Sequence, residues 1–201
     1  MSQLDRIDRF IEIYNKHGIL SATTRASKYL IDKPIRTIYS AAWEFKNGPG
    51  VDVMERDWDN LIILDACRYD HFRNQNKIDG RLERVVSRGA HSSEFIAKNF
   101  QGRELHDTIY VTANPYYEKI GNDTFYFVEH LFDKWNKKYE TILPEDVKDR
   151  AITIHRENPN KRIIIHFMQP HIPYLGSTSE KIRKRVNLTG YGYYKSNKQK
   201  D

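Results

Sequence analysis

The stretch NLIILDACRYD, residues 60–70, decides how the rest of the chain reads. Four apolar residues, Leu61 to Leu64, run without interruption into Asp65. A short all-apolar run bounded by polar residues is the pattern of a strand covered on both faces, as in parallel sheets. A carboxylate at the end of such a strand is costly unless it is paired, capped or bound. Two roles remain open for Asp65: cap of the helical segment that follows, or ligand of something held at the sheet's end.

Working outward, the same alternation recurs. DTIYVTAN (107–114) and KRIIIHFMQ (161–169) predict strands, as does RLERVVS (81–87). CRYDHFRNQ (67–75), SSEFIAKNF (92–100) and PEDVKDRAITIHREN (144–158) predict helices, the last with Pro144 in its first turn. TFYFVEHLFDKW (124–135) reads as strand in its first half and helix in its second. Strands alternating with helices predict an α/β fold, a mainly parallel (mixed) sheet between helices.

Upstream, Leu4, Ile7, Ile11 and Tyr14 predict an amphipathic helix over residues 3–16, and residues 21–31 a second one. Asn47-Gly48-Pro49-Gly50 is the strongest break. The expected organisation is an N-terminal helical arm (1–50), a core (51–177) and a basic, poorly ordered tail (178–201).

The chain has 201 residues, 39% of them hydrophobic and 12% aromatic, enough for a packed core. A formal charge of +6 favours anionic partners. Nucleic acid is disfavoured, because no zinc-finger, RNP or helix-turn-helix signature accompanies that charge. One cysteine, Cys67, excludes an internal disulfide and fits a reducing compartment. With no apolar run of signal or membrane-spanning length, the expectation is a cytoplasmic chain without a membrane span.

Ligands of open α/β sheets bind beyond the carboxyl ends of the strands. Three such ends carry polar residues. Asp65, Arg68 and Asp70 follow the first strand. SRGAHSSEF (87–95) places Ser92 and Ser93 at a helix start, where a hydroxyl either caps the helix or faces an anion. HFMQPHIPYLG (166–176) holds His171 between two prolines and leaves His166 inside the strand, as a core histidine with a satisfied hydrogen bond.

IILDACRYD (62–70) together with HFMQPHIPYLG resembles the sulfatase-like branch of the alkaline phosphatase superfamily, archaeal-type members in particular. The likeness spans roughly residues 55–176. It implies a large sheet between helices, and hydrolysis or transfer of a phosphate or sulfate ester, small-molecule or glycan, with help from a divalent cation (Ca, Mg, Mn or Zn). It implies Asp65 as a metal ligand, Ser92 as nucleophile, His171 on the substrate's anionic oxygens, and Arg68 steering the anion or pairing with a carboxylate. The chain departs from that family in three ways: Ala66 follows Asp65 where paired aspartates are usual, the C/S-x-P-S-R pattern is absent, and no Asp-His-Gly motif follows His171. The chain is expected to match the first two-thirds of such a domain, with His91, His106 and Asp107 as substitute ligands. The alternative is an inactive relative that binds an anionic ligand or a partner protein.

Overall fold

The structure, a computed structural model, describes residues 35, 38–39, 41–121 and 123–186, with backbone alone for 183–186. The chain divides into two units, Met1–Gly50 and Val51–Asp201. In the first, residues 41–47 are helical (α1). Gly48, at φ +80°, donates its N–H to the Glu44 carbonyl and ends the helix in a conformation that only glycine adopts freely. The helices expected over 3–16 and 21–31, and residues 187–201, lie outside the described residues.

The second unit is an α/β layer structure. Its strands are β1 (Asn60–Asp65), β2 (Leu105–Thr112), β3 (Phe125–His130) and β4 (Arg162–Pro170); its helices are α2 (Tyr69–Gln75), α3 (Ser92–Phe100), α4 (Pro144–Glu157) and α5 (Ser177–Val186). All four strands are parallel, in the order β1-β4-β2-β3. Ile63 and Thr112 both stand opposite His166.

The handedness of parallel crossovers fixes which layer each helix joins. From β1 to β2 and on to β3 the chain travels one way across the sheet. α3 and the 3-10 turn Pro115–Lys119 therefore pack on one face, where Ile96 and Phe100 meet Tyr110, Phe125 and Ile164. From β3 back to β4 it travels the other way. α4 accordingly covers the opposite face, with Val147, Ala151 and Ile154 against Ile109, Val111 and Ile163. The alternation Ile163/Ile164 and Ile109/Tyr110 along adjacent strands feeds both layers.

Two expectations need correcting. RLERVVS is irregular backbone, not a strand; its one bridge is Ser87 with Val51. Leu82 and Val85 are exposed there, so no apolar face draws the segment onto the sheet. The second half of TFYFVEHLFDKW makes only a 3-10 turn, Phe132–Lys134. The segment read as a tail begins in α5, where Glu180 accepts hydrogen bonds from Lys138 Nζ (3.0 Å) and Tyr139 Oη (2.9 Å).

Candidate active site

Asp65 closes β1 at a break in register, where pairing with β4 skips from Phe167 to Pro170. Ala66 follows at φ 60°, so the chain turns sharply there. The Asp65 carbonyl accepts the backbone N–H of His171 at 3.0 Å, which ties the ends of β1 and β4 together. Asp65 does not cap the next helix: the residue at the start of α2 is Arg68, and no side chain caps it.

Ser92 opens α3, but the cap is His91, whose Nδ1 accepts from Glu94 N at 3.3 Å. Glu94 reaches back to the N–H of Ala90 at 2.9 Å, in the manner of a capping box. With those groups provided for, the Ser92 hydroxyl turns toward β1 and donates to the Asp65 carboxylate, 3.1 Å from each oxygen. The entry to α3 is tight. A Cβ on Gly89 would lie 2.3 Å from Phe95 N, so a side chain at 89 would push the helix start away.

Asn114, beyond the end of β2, completes the cluster. Its Nδ2 donates to Asp65 Oδ2 at 3.2 Å, while its Oδ1 accepts from Tyr116 N at 3.0 Å. Sequence reasoning missed Asn114. The signal was there, since Asn114-Pro115 is a turn dipeptide directly after a buried strand, in the position that Asp65 has on β1.

Burial pushes the Asp65 carboxyl above its ordinary value. The Ser92 hydrogen bond, the electrostatic influence of His171, the Ala66 N–H and the Asn114 amide offset that only in part. The His171 Nδ1 lies 2.8 Å from the Ile172 carbonyl. Asp65, Ser92 and His171 thus share the carboxyl end of the sheet. Arg68 is not in contact with them: it makes a bidentate pair with Asp70, 2.9 Å at both bonds, on the exposed surface. His166 is buried in the strand, bonded to Tyr110 at 2.6 Å.

The described donors do not fit a divalent cation by themselves. Asp65 brings one carboxylate and Ser92 one hydroxyl, while Asn114 presents an N–H to the carboxylate and not its carbonyl. Hard cations take about six or more oxygens. Among the described residues no three His, Cys, Asp or Glu side chains converge on one point. The three substitute ligands do not join the cluster. His91 is engaged as the α3 cap, with Ser93 Oγ 3.0 Å from its Nδ1. His106 and Asp107 sit at the amino end of β2, roughly 17 Å from its carboxyl end at strand rise.

Fold and cluster together define an α/β protein with a serine–carboxylate contact at the carboxyl end of a parallel sheet. No protein-family model, curated protein or solved structure matches the chain.

Proposed function

We propose that this chain is a hydrolase or transferase of phosphate or sulfate esters, with Ser92 as its nucleophile. The observation that carries the reading is the Ser92 hydroxyl held 3.1 Å from both oxygens of a half-buried carboxylate. A carboxyl whose affinity for protons is raised is a better base toward that hydroxyl. As Ser92 Oγ attacks phosphorus or sulfur, its proton passes to Asp65, the bond to the leaving oxygen breaks, and a serine ester forms. Water, or an acceptor alcohol in a transferase, then cleaves that ester. The ester's anionic oxygens face the positive end of α3, and His171 supplies a donor from the β4 side. The likeness of IILDACRYD and HFMQPHIPYLG to sulfatase-like sequences supports the same chemistry and adds a divalent cation to the proposal.

The test is hydrolysis of aryl phosphate and aryl sulfate esters, with EDTA and then with Ca, Mg, Mn or Zn. Turnover in at least one condition, lost by a factor of about a hundred or more in Ser92→Ala, is the expected result. Turnover that survives Ser92→Ala refutes the assignment. The short donor set favours a second reading, an inactive domain that binds a phosphorylated or sulfated ligand. Calorimetric binding of inorganic phosphate or sulfate, weakened in His171→Ala and without turnover under any cation, would favour it.

A further inference from the structure

Beneath the Asp65–Ser92 contact lies a second polar pair that the proposed chemistry does not use. Tyr110 is fully buried and His166 is 2% exposed, yet the phenol oxygen and the imidazole Nδ1 meet at 2.6 Å. Two hydrophobic side chains would fill this space without the desolvation that polar groups bring. The pair is also not placed at random. On this face Phe100, Phe125 and Ile164 are apolar, with Ile164 level with Tyr110 in the register. The polar side chains Tyr110, Thr112, Asn114 and His166, all fully or almost fully buried, gather toward Asp65.

The pair is connected to the carboxylate. Tyr110 and Thr112 stand two residues apart on β2, so their side chains share the face of the sheet, and Thr112 stands opposite His166. Thr112 Oγ1 accepts the backbone N–H of Asn114 at 2.9 Å, and Asn114 Nδ2 donates to Asp65. We infer that Tyr110 and His166 are positioning residues, a neutral buried pair that acts through Thr112 and Asn114 to hold the Asp65 carboxylate beneath the Ser92 hydroxyl; the inference rests on the hydrolase reading above. The negative charge of Asp65 acts on the Tyr110 phenol in the same direction as the phenol's burial.

The test uses the full chain and the variants Tyr110→Phe, His166→Gln and, as an apolar control in the same layer, Ile164→Val. The first readout is the NMR signal of the Asn114 side-chain amide, whose N–H points at Asp65. The second is kcat and KM on an aryl ester, and the third is the rate at which a fluorophosphonate labels Ser92. A displaced amide signal in Tyr110→Phe and His166→Gln but not in Ile164→Val is expected. With it, kcat and labelling should fall roughly ten- to a hundredfold while KM stays within about twofold. If His166→Gln does not fold, Tyr110→Phe alone carries the test. An unmoved amide, or a moved amide with unchanged kcat, overturns the inference. A moved amide in a protein that neither turns over nor labels even as wild type upholds the positioning of Asp65 and refutes the hydrolase reading.

Discussion

Asp65 is held in a setting that favours its protonated form, because burial outweighs the hydrogen bonds from Ser92 and Asn114. A carboxyl whose native pKa lies above its unfolded value costs stability that grows as pH rises from the unfolded value through the raised one. Asp65→Asn keeps the shape and removes the charge. In EDTA at pH 7 it should raise the thermal midpoint by a few degrees, roughly the effect of 1 kcal/mol, while hydrolysis of aryl esters disappears. A lower midpoint, read by differential scanning calorimetry, would show that the ionised carboxylate stabilises the fold. At this scale the sequence was partly legible. Asp65 stood out because a carboxylate after LIIL calls for a cap or a bound partner, and Ser92 because it falls at a helix start. Asn114 did not, since its role depends on reaching past β4 to β1, a contact 49 residues distant in sequence. Arg68 sits beside the site in sequence, yet its two bonds go to Asp70, a partner only two residues away.

Among the elements, α3 depends most on its approach. Residues 87–91 run so close to its first turn that Gly89 has no room for a methyl group. Arg88 and Arg103 both pair with the buried carboxylate of Asp52, which anchors the approach from the other side. Gly89→Ala should therefore cost about 1–3 kcal/mol in urea unfolding and lower turnover further by moving Ser92 away from Asp65. Unchanged stability in that variant would mean that the approach can shift freely. The elements with a strong period were readable from residues alone: β1, β2, β4, α3 and α4 lie close to where alternation and helix spacing put them. RLERVVS misled because Val85 and Val86 supply strand propensity without a neighbouring strand to pair with. α5 was missed because its charged sequence forms no apolar stripe, and Lys138 and Tyr139 hold Glu180 from a distant loop.

For the whole second unit, pH dependence follows from its centre. Burial holds His166 down to about 3 from an ordinary 6.5, so the folded protein keeps it neutral while the unfolded chain binds a proton. The unfolded state thus takes up more protons below pH 6.5, and stability falls as pH falls from there toward 3. Between pH 7 and pH 5 this group alone should remove about 2 kcal/mol, measured from urea midpoints at the two pH values. His166→Gln should lack that increment, and an equal loss in the variant would assign it to other groups. Asp52 acts further down. Burial would raise its carboxyl, but Arg103, the Met54 N–H and Arg88 outweigh that and hold it below 3.8. Its contribution is complete above 3.8 and is lost as pH falls through the lowered value. No described helix is long and apolar enough to cross a membrane. The strand order has a last consequence, in time. Among the described strands β1 has one sheet neighbour, β4, which the ribosome makes about a hundred residues later. The segment that carries Asp65 is therefore made well before the strand it pairs with. The chemistry at its end can be assembled only after nearly all the rest of this unit has emerged.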